Sequence, residues 1–382
     1  MSRRPLRVPR LRVILIGVAL VFGCLDAERH HPSPEGLVRP QPPSFTVRIP
    51  REAEVSGHRH ETPPPELDSG SSQLVIGSWA GDDLTQFGRI SASAIYNDRI
   101  FVVDNYFSEV RLFDVLGNPM ARIGGRGEGP GEFRSPVALA QDDSGRVLVF
   151  DGDGRVSYLR EFNGQLGAAL LFRFPGVIVD GCVMGDGFFI HGLLPGSGSV
   201  VHRYSVDGRH ITSFAEVYRT ENRVIRSQVS LGRIACLAET GSVLLAPELL
   251  PELRAYAPEG DLLWWALLDG HLPIELVEIA RGSMMRATCS GHHSLWGLTR
   301  SGEGDRALLQ VGYGSSCRGE QQVPVLHTFL IDQFPDGFRY LGSHIPSILY
   351  WDSLYAIEHQ IEPFPAIRLR SPRVGLTKDA PR

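Results

Sequence analysis

The chain has 382 residues, of which 42% are hydrophobic and 42 are glycine, and its formal net charge is −5. This composition supports a folded core with many turns and argues against an intrinsically disordered chain. Residues 1–23 contain five arginines and no acidic residue, so their removal would lower the net charge to −10. An acidic mature chain argues against nucleic-acid binding, which relies on basic surfaces.

The N-terminus resembles a bacterial export signal. Arginines precede the apolar run Val13–Phe22. This run is too short to span a membrane, because a membrane-spanning helix needs about 20 apolar residues. Gly23 and Cys24 then complete a sequence similar to a lipobox, although Phe22 is bulkier than the residue usual at that position. We therefore expect residues 1–23 to be removed and Cys24 to be lipidated, which would anchor the chain to a membrane. The alternative is an ordinary secretory signal with a coincidental cysteine.

A proline-rich segment follows the signal. Residues 24–70 combine polar residues with many prolines, including the triplet Pro63–Pro65, and this composition is typical of a semi-extended, solvated linker. We interpret residues 24–70 as a tether, residues 71–375 as one folded domain and residues 376–382 as a C-terminal tail.

The rest of the chain repeats one pattern of short strands and turns. Each strongly apolar strand, here called an anchor strand, is preceded by one short apolar segment. Most anchor strands are also followed by two strand-like segments, which gives units of four strands. Units of about 40 to 60 residues with four antiparallel strands are typical of β-propeller blades. Six such anchor strands are predicted: Ile100–Asp104, Val147–Asp151, Gly187–Gly192, Ser242–Pro247, Ser294–Thr299 and Ser353–Glu358.

The two ends of the domain are predicted to form the last blade together. The last unit has no fourth strand after Phe364–Leu369, and the strand-like segment Gln73–Ser78 has no partner near it in sequence. Pairing these segments would remove two open sheet edges. The sequence therefore predicts an all-β fold, a six-bladed β-propeller of four-stranded antiparallel blades closed by an N-terminal strand. Seven blades is the nearest alternative.

Three features carry a family resemblance. The run Gly127–Phe133, the strands ending in Asp104 and Asp151, and the turn Phe113–Gly117 resemble six-bladed β-propellers of the NHL-repeat type. They resemble more closely the bacterial exported six-bladed propellers, many of which are lipoproteins. The resemblance implies a lipid-anchored protein of the bacterial cell envelope, in the periplasm or on the outer surface. The lipobox-like sequence, the tether, the six predicted blades and the lack of a recognisable catalytic constellation favour a monomeric binding or scaffold module for a protein or glycan.

The glycine-rich run provides candidate ligand-binding residues. A strand at Pro136, and no helix, is predicted after it, so a phosphate-binding loop is not favoured. We interpret the run as a connection between blades whose glycines adopt positive φ, with Arg126, Glu128 and Glu132 on the rim where ligands bind.

Two adjacent tryptophans add a further candidate. Trp264 and Trp265 lie side by side in a predicted strand, so their side chains face opposite sides of the sheet. We include Trp265 as a candidate binding residue, and burial of both tryptophans between blades is the alternative.

Three cysteines recur at similar positions. Each lies seven or eight residues before the central residue of an anchor strand, so we expect all three on the innermost strands: Cys182 before Phe189, Cys236 before Leu244 and Cys289 before Trp296. We interpret them as small buried side chains and not as metal ligands, because no Cys-x-x-Cys spacing is present. A disulfide between Cys289 and Cys317 remains open, since an oxidising envelope would allow it.

An enzymatic alternative comes from related propellers. Similarity to lactonase-like propellers implies a hydrolase or lyase with a divalent metal in the channel. Such a cation binds six to eight oxygen ligands, whereas small residues such as Ala94 and Ala140 are predicted on the innermost strands. We therefore predict no catalytic residue, no metal and no cofactor. Asp104 and Asp151 are expected to cap turns, and His292–His293 to lie in a turn.

Overall fold

The fold is a six-bladed β-propeller in which each blade is built from four antiparallel strands, and this confirms the predicted fold class. The seven-bladed alternative is wrong. A computed structural model describes residues 29–30, 43–50, 72–80, 83–162, 165–280, 284–287, 291–302, 304–315, 325–332, 337–343, 345–361 and 364–371. None of the helices in these ranges is long and apolar enough to cross a membrane.

Blades 1 to 3 follow one another along the chain, and each runs from its innermost to its outermost strand. Blade 1 consists of Ile90–Tyr96, Arg99–Asp104, Glu109–Asp114 and Pro119–Gly124. Blade 2 consists of Pro136–Gln141, Val147–Asp151, Arg155–Phe162 and Gln165–Arg173. Blade 3 consists of Val177–Met184, Gly187–Leu193, Ser199–Ser205 and His210–Glu216.

Blades 4 to 6 contain additional elements between or beside their strands. Blade 4 consists of Gly232–Leu237, Ser242–Pro247, Glu252–Tyr256 and Leu262–Asp269. Blade 5 consists of Gly291–Arg300, Arg306–Ser315, Val325–Asp332 and Phe338–Gly342. Blade 6 consists of Ile348–Trp351, Ala356–Gln360, Ala366–Ser371 and the N-terminal strand Ser72–Ile76.

A short helix and a small sheet lie between blades. The helix Arg223–Val229 precedes blade 4, and Asn222 caps its first turn by accepting hydrogen bonds from two backbone N–H groups. The strands Leu276–Ala280 and Met284–Ala287 form a hairpin between blades 4 and 5, to which Arg29–His30 adds a third strand.

The propeller has two faces, which we name by the turns they carry. On the connection face the chain passes from the outermost strand of one blade to the innermost strand of the next, for example through residues 125–135. The turn between the second and third strands of each blade lies on the same face. The opposite face, here called the hairpin face, carries the turn that joins the first two strands, such as Asn97–Asp98.

The ring is closed as predicted. Ser72–Ile76 pairs antiparallel with Ala366–Ser371, and Ile76 lies opposite Ile367. Both side chains are buried in the cluster that joins blades 6 and 1. Closure therefore protects an apolar face as well as a sheet edge.

Parts of the segment interpreted as a solvated tether are folded, so that interpretation is wrong for residues 29–30 and, on blade 4, for residues 43–50. Phe45–Arg48 forms a fifth strand, parallel to Leu262–Asp269. Val47 and Ile49 are only 8% and 2% exposed and belong to the core between blades 4 and 5. The physical reason is the alternation of Phe45, Val47 and Ile49 with polar residues, which places the apolar side chains on one face.

The fifth anchor strand was misplaced by one strand. Ser294–Thr299 lies in the innermost strand of blade 5, and the second strand is Arg306–Ser315. His292–His293 therefore lies in a strand and not in a turn. The two strands are equally long, ten residues each, and both contain apolar residues, so local pattern did not distinguish them.

A disulfide joins Cys182 and Cys236, so their interpretation as unpaired buried side chains is wrong. The sulfurs are 2.05 Å apart and the Cα atoms 5.7 Å apart. The bond links the innermost strands of blades 3 and 4, which are neighbours around the ring. Cys289 and Cys317 lie outside the described residues.

Candidate ligand-binding face and channel

One buried carboxylate organises the connection face at blade 1. Asp104 Oδ2 accepts a hydrogen bond from Gly88 N at 2.7 Å and Oδ1 accepts one from Arg89 N at 3.0 Å. Oδ1 also accepts from the backbone N–H groups of Tyr106 and Phe107, at 3.1 and 3.3 Å. The turn-capping role predicted for Asp104 is thus confirmed, and the same side chain also ties the connection from blade 6 to this turn.

The charge of Asp104 is balanced by the buried Arg111. The Arg111 Nη2 atom lies 3.5 Å from Asp104 Oδ2 and 2.7 Å from Glu109 Oε1, and Nη1 donates to Gln86 O at 2.6 Å. A buried ion pair is tolerated when its remaining donors are hydrogen-bonded in this way. The guanidinium carbon of Arg111 also lies 5.4 Å from the centre of the Phe107 ring, so the ring is held against a rigid base.

Blade 2 repeats this arrangement beneath the glycine-rich run. Asp151 accepts hydrogen bonds from Arg134 N at 2.8 Å and Ser135 N at 2.7 Å. Arg155 Nη2 lies 3.3 Å from Asp151 Oδ2 and donates to Gly127 O at 3.0 Å. The two buried pairs therefore fix neighbouring loops on one face of the ring.

The glycine-rich run is a connection between blades 1 and 2, as predicted. Gly124, Gly125 and Gly131 all have positive φ, which favours glycine. A Cβ atom on Gly124 would come within 2.4 Å of the ring of Phe133, which is fully buried between the two blades. This close approach explains why the chain has glycine there.

The charged residues predicted from this run are exposed on the connection face. Arg126 Nη2 donates to Tyr106 O at 2.9 Å, which brings the run beside the turn of blade 1. Glu128 forms an ion pair with Arg134, and Glu132 Oε2 accepts from Gly129 N at 2.7 Å. Their role in binding stays a prediction.

Trp265 does not belong to this face, and its interpretation as an exposed binding residue is wrong. It is only 4% exposed, and its carbonyl accepts a hydrogen bond from Ser44 N at 3.0 Å. Trp264 is also buried, against the ring of Phe45 at 5.4 Å between centroids. The added strand Phe45–Arg48 covers the edge on which both tryptophans lie.

Sequence reasoning missed the exposed aromatic residues of the connection face. Trp79, Tyr106 and Phe107 are 78%, 61% and 44% exposed. Among the described residues, these are the aromatic side chains that count as exposed large hydrophobic residues. Trp79 lies in the connection from blade 6 to blade 1, and the other two form the adjacent turn, with ring centres 5.0 Å apart. The sequence signal that could have identified two of them is the aromatic pair Tyr106–Phe107 in a turn directly after Asp104.

The central channel has a volume of about 570 Å³ and is lined by the innermost strands of all six blades. Three of the acidic side chains in its wall, those of Asp142, Asp180 and Asp352, are already engaged. Asp142 accepts from Ser144 and Arg146, and Asp352 accepts from Leu354 N and Tyr355 N, both at 2.7 Å. These carboxylates shape the turns at the hairpin face.

Asp180 occupies the opposite end of the channel wall. Its oxygens accept from Gly181 N at 2.9 Å and from Ile234 N at 3.0 Å, which links blade 3 to blade 4 beside the disulfide. Burial raises the pKa of this carboxyl, and the charge of Arg233 partly opposes that rise. Within the described ranges, no three His, Cys, Asp or Glu side chains converge to hold a metal ion.

Histidines cluster outside the channel, between blades 4 and 5. The ring of His293 lies 5.5 Å from that of His271 and 5.9 Å from that of His327. His293 Nδ1 accepts from Leu272 N at 2.8 Å, which requires an unprotonated nitrogen. Burial lowers the pKa of His293 to about 4 and that of His271 to about 3, so both rings are neutral at pH 7.

Comparisons with known proteins agree with the propeller fold. Residues 81–155 match the DUF5128 family model, described as 6-bladed beta-propeller. The match includes Gly127–Phe133, so the resemblance to bacterial six-bladed propellers is confirmed. No curated protein matches the sequence.

Among solved structures, a Bacteroides fragilis protein named as exported superposes with a TM-score of 0.52 at 12% identity, covering 81% of this chain and 97% of its own. A Bacteroides vulgatus protein of the DUF4221 family gives a TM-score of 0.49 at 11% identity, covering 78% and 96%. Virginiamycin B lyase from Staphylococcus aureus gives 0.43 at 9% identity, covering 78% and 99%. At these identities the similarity concerns the fold.

Proposed function

We propose that this protein is an exported, lipid-anchored β-propeller that binds a protein or glycan partner through the connection face at blades 6, 1 and 2. The observation that carries this proposal is the group of exposed aromatic side chains, Trp79, Tyr106 and Phe107. The backbone of the turn that carries Tyr106 and Phe107 is held in place by the buried Asp104.

This surface has the composition of a binding site. Tyrosine, tryptophan, phenylalanine and arginine are enriched at protein interfaces, and Arg126 lies directly beside Tyr106. Aromatic rings also present flat apolar faces to ligands and lose little conformational entropy on binding. Because the loops are fixed by buried ion pairs, little further ordering is needed when a ligand binds.

Replacing the exposed rings is expected to abolish most of the binding. Trp79→Ala and Tyr106→Ala should each weaken binding at least tenfold, because each removes a large contact area. Binding would be measured on a glycan array, and to envelope proteins by cross-linking followed by titration of the captured partner. The matched control is Ile211→Ala, an exposed aliphatic residue on the outermost strand of blade 3. Equal losses in the control and the aromatic variants would contradict the proposal.

Export and anchoring rest on two features. The apolar run that ends in Gly23 and Cys24 is similar to a lipoprotein signal. The Cys182–Cys236 disulfide fits an oxidising compartment, because disulfides are rare in the bacterial cytosol.

Changing the proposed lipidation site should release the protein from the membrane. With Cys24→Ser no acyl chain can be attached, and stable anchoring depends on those chains. The variant should therefore move from the membrane fraction to the soluble fraction of the envelope. Cys317→Ser serves as a control for the loss of a thiol elsewhere. If the Cys24→Ser variant stays in the membrane fraction, the lipoprotein assignment fails.

The alternative function, a hydrolase or lyase with a divalent metal in the channel, has less support. The channel carboxylates of Asp142, Asp180 and Asp352 already accept hydrogen bonds from neighbouring N–H or hydroxyl groups. A hard cation would have to displace those contacts. We therefore favour a binding function.

A further inference from the structure

Two polar side chains line the same end of the channel, near the hairpin face. Arg300 ends the innermost strand of blade 5 and Tyr96 ends that of blade 1, and both line the cavity. Burial raises the pKa of Tyr96, and the charge of Arg300 opposes that rise. Since blade 6 lies between these two blades, the two side chains come from non-adjacent strands of the channel wall.

The guanidinium group of Arg300 has an unsatisfied donor among the described residues. Its Nε atom is enclosed and has no hydrogen-bond partner there. Two of the nearby acids are engaged elsewhere: Asp142 pairs with Arg146 at 2.7 Å, and Asp352 accepts from Tyr350 Oη at 2.6 Å. An enclosed donor without a partner is unfavourable, so a ligand that supplies the acceptor would be stabilised there.

An oxyanion fits this pair of donors. A guanidinium group binds a carboxylate through two parallel N–H···O hydrogen bonds. The Tyr96 hydroxyl is protonated at neutral pH and is a further donor on this wall. Asp143, which also lines this end, repels a doubly charged anion more strongly than a singly charged one.

We propose that the channel binds a small organic acid with one carboxylate, held between Arg300 and Tyr96 near the hairpin face. The cavity of about 570 Å³ has room for a molecule of monosaccharide size. Its wall also presents the polar side chains of Asn97 and Gln141 near the same end, which suits a hydroxylated body such as that of a hexuronic acid. This site is separate from the connection face and does not depend on the function proposed for it.

Calorimetric titration of the purified protein with D-glucuronate tests the proposal. We expect saturable binding of D-glucuronate and none of D-glucose, which offers a similar hydroxylated ring without the carboxylate. Arg300→Gln should weaken glucuronate binding at least tenfold, and Tyr96→Phe should weaken it less, because only one donor is lost. Arg300→Lys, which keeps the charge but loses the two-donor geometry, should give an intermediate affinity.

The control variant is Arg233→Gln, which changes an arginine at the connection-face end of the same channel. Its affinity for glucuronate should equal that of the unmodified protein. Equal binding of glucose, or of inorganic sulfate, would overturn the assignment to an organic carboxylate. Absence of saturable glucuronate binding, or an Arg300→Gln variant with unchanged affinity, would overturn the site itself. The ligand comparison on the unmodified protein remains decisive if a variant fails to fold.

Discussion

Removing residues 25–80 should destabilise the propeller much more than removing residues 25–66. The longer deletion removes Ser72–Ile76, opens the ring and exposes Ile367 and Leu369, which are otherwise fully buried. Burial of one large aliphatic side chain contributes about 1.5–3 kcal/mol, so loss of this strand should cost at least about 5 kcal/mol. That is comparable with the whole stability of a typical domain.

The shorter deletion should not be neutral either. It removes Phe45–Arg48 with the buried Val47 and Ile49, so we expect a loss of about 3 kcal/mol on the same scale. Urea unfolding of the two deletions and the intact chain measures both steps. Identical unfolding of the two deletions would contradict closure by the N-terminal strand.

Two substitutions in the closing strand provide a matched test. Ile76→Asp places a carboxylate in the core between blades 6 and 1 and should cost several kcal/mol, because a buried unpaired charge is strongly unfavourable. Val75→Asp changes the neighbouring residue, whose side chain is exposed on the other side of the strand. It should alter stability by less than about 1 kcal/mol.

Removing the disulfide is expected to cost about 4 kcal/mol. The two cysteines are 54 residues apart, and closing a loop of that length removes about this much conformational free energy from the unfolded chain. The double variant Cys182→Ala and Cys236→Ala should therefore unfold at a lower urea concentration than the unmodified protein.

Reductant provides the control for this prediction. Dithiothreitol should shift the unfolding of the unmodified protein toward that of the double variant, and it should leave the double variant unchanged. If the unmodified protein unfolds identically with and without reductant, the disulfide does not contribute to stability.

The candidate sites were only partly predictable from the sequence. The exposure of Arg126, Glu128 and Glu132 could be inferred because a glycine-rich connection is a local feature. The aromatic turn of Tyr106 and Phe107 becomes recognisable only when Asp104 is seen to bind both this turn and the connection from blade 6. Arg300 and Tyr96 lie at the same end of the channel only because the ring is closed.

The sequence by itself determined the architecture. A propeller is a ring of similar four-stranded units, so short-range sequence patterns are enough to predict it. Those patterns are the repeating strands, the Asp that ends the second strand of blades 1 and 2, and the unpaired strand near residue 75. A closed ring of six blades is therefore predicted from periodicity along the chain, and the structure excludes the alternative of seven blades.

Only the tertiary structure decided the contacts between units. The disulfide joins residues 54 positions apart, and Ser44 meets Trp265 across 221 positions. No local sequence pattern predicts which side chains become neighbours over such separations. Packing of adjacent blades produces the Cys182–Cys236 bond. Packing of the N-terminal segment against blade 4 produces the fifth strand and the burial of Trp265. Both kinds of packing exist only in the assembled ring.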